Sequence, residues 1–247
     1  MKRFAAALLS LSFALPAEAD LSDMTASERE NFRNEVRAYL LENPEVLMEA
    51  ITVLEQRQAT AETVADTDMI AQHAEALFED GHSWIAGNPD GDLTLVEFAD
   101  YRCGYCRRAH DEVKELIESD GNIRFVYKEF PILGEASLAS SRFALATREV
   151  AGDEAYGAAQ EALLGLNAEP SDAVLTRLAN QLNLDGEAIL AEMSSPKVNE
   201  IIRANHDLAR ALNINGTPTF VLGGEMLRGY VPLEQMREIV DEVREDS

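Results

Sequence analysis

The chain has 247 residues, of which 46% are hydrophobic and 27% are charged. This composition is that of a globular protein, and it excludes a disordered or a fibrous chain. The 21 Lys and Arg against 45 Asp and Glu give a formal charge of −24, which argues against nucleic acid or an anionic membrane as the main partner. Only two cysteines are present, Cys103 and Cys106, so a framework of several disulfides is excluded.

Residues 1–19 have the pattern of a signal peptide. Lys2 and Arg3 form a basic start, residues 5–15 are an apolar run too short to span a bilayer, and Ala-Glu-Ala at 17–19 fits a cleavage site. We therefore expect a mature chain that begins at Asp20 in an oxidising compartment, most simply a bacterial periplasm. An exported protein with two cysteines three positions apart is expected to use them for chemistry.

Residues 20–80 are predicted to be an N-terminal helical segment. Ser27 or Thr25 can cap a first helix, and Asn43-Pro44 ends it and starts a second. Residues 56–68 are polar and fit either a solvated helix or a mobile linker, and an amphipathic stretch at 69–78 follows. Two short helices cannot bury their apolar stripes alone. They must dock either on the main domain or on a copy of themselves, and the polar stretch favours an association module that makes the protein a homo-oligomer.

From residue 81 to 247 the pattern is that of an α/β domain. Strands are predicted at 93–98 and 123–130, with a helix over 103–120 between them. Residues 135–213 are almost wholly helical, and Gly or Pro punctuates them at 152, 165, 170, 186 and 196. A hairpin at 219–228, which turns at Gly223-Gly224, and a closing helix at 232–243 complete a domain predicted to have two layers.

The Cys103-Gly104-Tyr105-Cys106 motif lies where a buried strand meets a helix N-terminus. The unpaired N–H groups of the first turn favour a thiolate at Cys103, and Cys106 is placed to attack a mixed disulfide formed there. A zinc site requires four ligands, and the four histidines form a poor set with this pair. An inert disulfide across so short a loop stabilises little. Thiol redox chemistry is therefore the favoured function of the motif.

Charged residues around the motif leave alternatives open. Arg102, Arg107, Arg108 and His110 either stabilise the thiolate and attract acidic partners or form a solvated face. Asp100 is either a proton carrier for Cys106 or a capping residue.

Two other pairs lie further along the chain. Lys128-Glu129 is either a salt-bridged pair near the site or a solvated edge. Pro218 begins a strand; a cis bond there would expose a backbone edge that can pair with a peptide.

Four stretches resemble a known family: FADYRCGYC at 98–106, VYKEFPILG at 126–134, GTPTF at 216–220 and YLLENPEVL at 39–47. The first three resemble the DsbA-like thioredoxin-fold thiol–disulfide oxidoreductases, and the fourth resembles the ScsC (suppressor of copper sensitivity) branch. The resemblance implies a thioredoxin fold with a helical insertion at about 135–213, preceded by the N-terminal helical segment. It implies no cofactor and no resident metal.

The resemblance also implies residue roles. Cys103 would be the nucleophile, Cys106 the resolving thiol, Pro218 a cis-proline that faces them, and Thr217 a contact for the substrate backbone. Strongly oxidising members carry Pro-His between the cysteines, whereas Gly104-Tyr105 and the Thr before the proline resemble DsbC-type isomerases. We therefore expect a less oxidising pair with a bias toward disulfide isomerase or reductase activity.

The implied partners are misfolded or reduced exported proteins and a membrane electron donor of the DsbD or ScsB type. A DsbA-like oxidase and a Cu(I)-binding thiol protein remain as alternatives.

Overall fold

The computed structural model describes residues 24–245, and the expected signal peptide and its cleavage site lie outside them. The chain divides after Gln58 into two compact units. The helices are α1 (Ala26–Glu42), α2 (Glu45–Gln72), α3 (Ala74–Phe78), α4 (Gly104–Asp120), α5 (Glu135–Ala151), α6 (Asp153–Leu164), α7 (Asp172–Gln181), α8 (Gly186–Glu192), α9 (Pro196–Ala211) and α10 (Leu233–Glu245). The strands are β1 (Trp84–Gly87), β2 (Leu93–Ala99), β3 (Ile123–Glu129), β4 (Thr219–Leu222) and β5 (Glu225–Arg228).

The first unit consists of α1 and the first half of α2. Thr25, one of the two predicted caps, forms a capping box: its hydroxyl accepts from the Glu28 N–H at 3.3 Å, and the Glu28 carboxylate accepts from the Thr25 N–H at 2.9 Å. Asn43 closes α1, as predicted, and donates its side-chain amide to the Tyr39 carbonyl. No residue of α1 is buried, so this helix leaves its apolar side chains exposed.

The polar stretch at 56–68 is helical, which decides between the two alternatives. It continues α2 to Gln72 without a break, and the next predicted amphipathic stretch is divided at His73 between α2 and α3. Asp66 ties this half of α2 to β5, because both of its carboxylate oxygens accept from Arg228, at 2.6 and 2.8 Å. Asp66 is also buried, so this bidentate ion pair anchors the second half of α2 to β5.

The second unit is built on a five-stranded sheet of order β1-β3-β2-β4-β5. Strands β2 and β3 are parallel, and the other neighbours are antiparallel. The predicted strands and the hairpin at 219–228 are confirmed. The edge strand β1 was not predicted, because four half-exposed residues that end in glycine carry no clear periodicity.

The sheet is covered on both faces, so the prediction of two layers was wrong. Leu95 of β2 packs into a core with α4, α10 and the helical insertion. Val96, the next residue, packs into a second core with Leu77 of α3 and Leu208 of α9. Successive side chains of a strand point to opposite faces, and both faces of β2 are apolar. The domain therefore has three layers.

The insertion between β3 and β4 consists of α5–α9, and its helices are interrupted near the predicted glycines and prolines. The predicted fold class, a thioredoxin fold with a helical insertion after an N-terminal helical segment, is confirmed. Within residues 24–245, no helix is long and apolar enough to cross a membrane.

Candidate active site

The two thiols lie at the start of α4, directly after the turn that follows β2. Cys103 is the N-cap of α4, and its sulfur accepts from the Cys106 N–H at 3.4 Å. Both cysteines are free, and they are 7% and 1% exposed, respectively. The strand-to-helix turn thus presents the Cys103 sulfur to the first-turn N–H groups and encloses Cys106 behind it.

The two thiols differ strongly in acidity. Hydrogen bonding from the Cys106 side chain, which outweighs the effect of burial, lowers the pKa of Cys103 to about 5, and bonds from Thr217 and from backbone N–H groups add to this. The pKa of Cys106 is raised far above the ordinary range by the same hydrogen bond, by burial and by the charge of Glu97. At neutral pH, Cys103 is therefore a thiolate and Cys106 a thiol, which is the division of a nucleophile and a protected second thiol.

The loop before β4 faces Cys103. The Thr217–Pro218 peptide bond is cis, and the Cys103 sulfur lies 3.2 Å from the Thr217 carbonyl oxygen. Cys103, Cys106, Thr217 and Pro218, which the sequence analysis singled out from distant parts of the chain, are thus brought to one place. The cis geometry meets the expectation for Pro218.

Gly104 and Tyr105 lie on the exposed side of the motif. A Cβ at Gly104 would meet no atom within 4 Å, so crowding does not explain the glycine. Tyr105 is 61% exposed, and its ring stacks on Tyr230, with ring centroids 6.3 Å apart and an interplanar angle of 28°. Tyr230 follows β5 and was not predicted to belong to the site.

Glu97, rather than Asp100, is the buried acid that is coupled to the thiols. Asp100 accepts from the backbone N–H groups of Arg102, Ile132 and Leu133 at 2.8–3.0 Å, which is the capping alternative. The pKa of Glu97 is raised to about 8, first by burial and then by the charge of Cys103. Among the described residues, no side chain hydrogen-bonds to Glu97. Glu97 could have been found from the sequence, because it is a carboxyl group inside a strand that was predicted to be buried.

Glu97 also lines a cavity of about 460 Å³ that lies behind α4. Trp84, Val113 and Phe125 supply apolar walls, and His110 lies on the same wall. Burial lowers the pKa of His110, and its Nε2 atom is buried without a hydrogen-bond partner. His110 therefore faces this cavity as a neutral ring and is not an imidazolium beside Cys103.

Two of the arginines near the motif hold the insertion. Arg102 donates to the carbonyls of Leu166 and Ala168 at 3.3 and 3.2 Å, and Arg107 donates to the carbonyls of Leu166 and Tyr101 at 2.7 and 2.9 Å. These carbonyl contacts are not those of a merely solvated face, and the charge of Cys103 also acts on Arg107. The arginines fix the loop after α6 at the rim of the site.

Lys128 and Glu129 are buried and have different partners, so neither alternative for this pair was right. Lys128 donates to the Ala76 carbonyl at 2.8 Å and pairs with Asp80. Burial alone would raise the pKa of Asp80, but Lys128 lowers it to about 2. Glu129 accepts from the hydroxyls of Tyr101 and Tyr156 at 2.7 and 2.5 Å, and burial raises its pKa to about 7. These bonds tie β3 to both neighbouring layers.

The described residues contain no group of three or more His, Cys, Asp or Glu arranged to hold a metal ion. The donor set at the motif consists of two sulfur atoms, which suits thiol–disulfide exchange and a soft monovalent ion.

Solved structures of thiol oxidoreductases share this architecture. A thioredoxin-like oxidoreductase from Silicibacter pomeroyi is 40% identical, with a TM-score of 0.65, over 69% of this chain and 97% of its own. A linker-deletion variant of Proteus mirabilis ScsC is 26% identical, with a TM-score of 0.68, over 92% of this chain and 100% of its own. The thiol–disulfide exchange protein alpha-DsbA2 from Wolbachia pipientis is 27% identical, with a TM-score of 0.69, over 74% and 98%.

The curated relatives are longer proteins that are named as Na(+)/H(+) antiporters. The Na(+)/H(+) antiporter NhaA 1 of Salinispora arenicola is 29% identical over 157 residues, which cover 63% of this chain and 24% of the antiporter. This chain thus spans about a quarter of the length of the curated relatives it matches. Such a match shows a shared domain and does not transfer ion transport to this chain.

Two family models match consecutive parts of the chain. The N-terminal domain of the copper resistance protein ScsC matches residues 28–61, over α1 and the first part of α2. The DSBA-like thioredoxin domain matches residues 94–241, which include both thiols and the cis-proline loop. The chain therefore belongs to the DsbA-like thioredoxin-domain family and carries an ScsC-type N-terminal domain.

Proposed function

We propose that this protein is a periplasmic thiol–disulfide oxidoreductase that acts on exported proteins through Cys103 and Cys106, with a bias toward disulfide isomerase and reductase activity. The observation that carries the proposal is the opposite displacement of the two thiol pKa values. The attacking sulfur must be a thiolate at neutral pH, and the second thiol must stay protonated until it is needed.

In the reducing direction, the Cys103 thiolate attacks one sulfur of a client disulfide. A mixed disulfide forms, and the other client sulfur leaves as a thiolate that takes a proton from solvent. Cys106 then loses its proton and attacks the Cys103 sulfur, which releases the second client thiolate and leaves a Cys103–Cys106 disulfide. In isomerisation, a client thiolate attacks the mixed disulfide instead, so that Cys103 is regenerated and no net electrons are transferred.

Glu97 is the proposed proton acceptor for Cys106. The negative charge of Cys103 helps to keep Glu97 protonated, because it is one of the two causes that raise the pKa of Glu97. That charge disappears when Cys103 enters the mixed disulfide. The pKa of Glu97 then falls, and the carboxylate can take the Cys106 proton at the step that requires it.

The degree of ionisation of Cys103 affects the reduction potential of the Cys103–Cys106 pair. At pH 7 a thiol with a pKa of about 5 is almost fully ionised, whereas the thioredoxin nucleophile, with a pKa of ~7, is half ionised. This difference in ionisation favours the reduced pair by a factor of about 50. Each factor of ten corresponds to ~30 mV, so the reduction potential rises by about 50 mV. Starting from ~−270 mV for thioredoxin, we expect about −220 mV.

This potential is the test of the reaction direction. Equilibration of the pure protein with glutathione redox buffers should give a value near −220 mV, and insulin reduction should be catalysed. A value near ~−120 mV, that of DsbA, would contradict the isomerase bias and support a DsbA-like oxidase.

A homo-oligomer formed by the N-terminal helices is the second part of the proposal. Phe32, Val36 and Tyr39 of α1 recur at helical spacing and are 41–56% exposed, and Leu47, Ile51 and Leu54 of α2 repeat the same spacing at 47–55%. Contiguous apolar surface of this kind is covered in a stable protein, and a second copy supplies a matching stripe. Several Cys103 thiolates around one client favour repeated exchange.

The compartment is proposed from the signal peptide, and the partners are proposed from the exchange reaction. The predicted signal peptide favours export, and one related structure is described as a periplasmic thioredoxin-like protein from Salmonella enterica. Each reductive turnover leaves a disulfide that needs two electrons, so a membrane donor of the DsbD or ScsB type is the proposed redox partner. The clients are misfolded or reduced exported proteins.

Cu(I) binding is the alternative use of the same two thiolates. The ScsC name of the N-terminal domain is the observation that favours it. Stoichiometric Cu(I) binding by a protein that catalyses no thiol exchange would support this alternative against the proposed one.

A further inference from the structure

The cavity behind α4 is lined by buried polar groups that have no partner within the described part of the chain. Glu97 and Gln160 are each 4% exposed, and no described residue hydrogen-bonds to either side chain. The Nε2 atom of His110 is buried and also lacks a partner. Buried polar groups in proteins are almost always hydrogen-bonded, so three such groups around one cavity point to a ligand that supplies the missing bonds.

The apolar part of the lining suits a flat ring. Val113 and Phe125 are buried, and Trp84 is partly buried against the core. The Trp84 indole lies against Gly157 of α6, where an added Cβ would come within 3.0 Å of the indole ring. Glycine at 157 therefore leaves room for the indole in the cavity wall. A cavity of about 460 Å³ with apolar walls and a few polar groups has the size and character of a small-molecule site.

The charges around the cavity favour a cation. Glu118 and Glu161 line it together with Glu97, and burial keeps His110 neutral. Lys114, the remaining basic residue of the lining, pairs with Glu161 at 3.3 Å. Within residues 24–245, neither Glu97 nor Glu118 has a basic side chain at salt-bridge distance. A positively charged ligand is therefore attracted to this cavity, and an anion is repelled from it.

We propose that this cavity binds a small aromatic amine, with the ring between the apolar walls and the ammonium group on Glu97. A primary ammonium has three N–H donors, so it can also bond to the Gln160 amide oxygen and to the neutral His110 ring. A charge-assisted hydrogen bond is stronger than a neutral one, which selects an amine over a neutral ring of the same shape. Neither thiol and no residue of the cis-proline loop lines the cavity, so this site is separate from the surface that meets a client disulfide.

A bound amine also acts on the exchange reaction. An ammonium beside Glu97 favours the carboxylate form and makes it a weaker proton acceptor. The attack of Cys106 on a mixed disulfide should therefore slow when the amine is bound. This consequence rests on the proposed function, whereas the binding itself does not.

Trp84 is the single tryptophan of the chain and lines the cavity, so its fluorescence reports binding. The reduced protein is titrated with phenethylamine, with 2-phenylethanol as a neutral ligand of the same shape, and with the anion 3-phenylpropionate. Phenethylamine should give a saturable change with a Kd of about 0.1–1 mM, as expected for so small a ligand. It should bind at least about tenfold more tightly than 2-phenylethanol, and 3-phenylpropionate should bind more weakly still.

Variants locate the ammonium group. Glu97→Gln keeps the shape but removes the charge, so it should weaken phenethylamine about tenfold or more and change the affinity for 2-phenylethanol by less than about threefold. Gln160→Leu should weaken phenethylamine about threefold to tenfold, and it provides a second test if Glu97→Gln fails to fold. Glu115→Gln is the matched control, because Glu115 is an exposed carboxylate of α4 outside the cavity lining.

Three outcomes would overturn the inference: equal affinity for the three ligands, unchanged affinity for phenethylamine in both cavity variants, or no saturable change, which would mean that the cavity holds only water. The rate of client release is measured separately, with and without phenethylamine. A wild type that binds the amine but exchanges no thiols would refute the proposed function and support the binding site, so the two failures are distinguishable.

Discussion

The low pKa of Cys103 is assigned mainly to the side chain of Cys106, and removing that side chain tests the assignment. Cys106→Ala deletes the thiol that donates to Cys103 and leaves the helix N-terminus intact. A hydrogen bond to a charged group contributes about 1.5–3 kcal/mol, and one pKa unit corresponds to about 1.36 kcal/mol. The pKa of Cys103 should therefore rise by about one to two units, from about 5 to about 6–7.

The assay is direct, because the variant contains a single thiol. Thiolate absorbance in the ultraviolet and the rate of alkylation by iodoacetamide, both measured against pH, report Cys103 alone. Cys106→Ser is the matched control: its hydroxyl can still donate, so the Cys103 pKa should stay within about half a unit of the wild type. Equal pKa values in the Ala and Ser variants, both close to that of the wild type, would refute the assignment and leave the first-turn N–H groups as the cause.

Two further predictions concern the proton transfer from Cys106 to Glu97 and the ion pair between Asp66 and Arg228. Glu97→Gln should slow the attack of Cys106 on the mixed disulfide by about a hundredfold or more. In the wild type this rate should rise with pH as the carboxyl group ionises, and stopped-flow measurement of client release should show that the variant lacks this rise. Asp66→Ala leaves Arg228 without its buried partner and should lower the free energy of unfolding by about 1–3 kcal/mol. Urea unfolding should show this loss, whereas Glu62→Ala, which removes an exposed carboxylate 3.6 Å from Arg228, should change stability by less than about 0.5 kcal/mol.

Local sequence signals were sufficient for most of the secondary structure. Gly121 ends α4 with a φ of 74°, and Gly223-Gly224 turns the hairpin between β4 and β5. Pro196 occupies the first position of α9, behind its Ser195 cap. Each of these residues acts within a few positions of itself through backbone sterics or capping, so a single sequence is enough to read it.

The residues that sequence reasoning missed act across the fold. Glu97 belongs to the site because a buried strand carries it beneath the thiols, and Tyr230 belongs to it because Gly229 bonds to the cis-proline loop. The third layer forms because the end of α2 and α3 cover the face of the sheet that carries Val96. None of these contacts has a local periodicity, since they join segments that lie far apart in the chain.

Isomerisation of a scrambled-disulfide model protein tests the central claim most directly. The full mature chain and a truncated chain that begins at Gln56 should be compared at equal concentrations of Cys103. We expect the mature chain to restore native disulfides and the truncated chain to exchange thiols without isomerising, because it lacks the helices proposed to assemble several active sites. Equal isomerisation by both chains would show that the helices are not needed. Failure of both, together with efficient oxidation of a reduced substrate, would contradict the isomerase assignment and identify an oxidase.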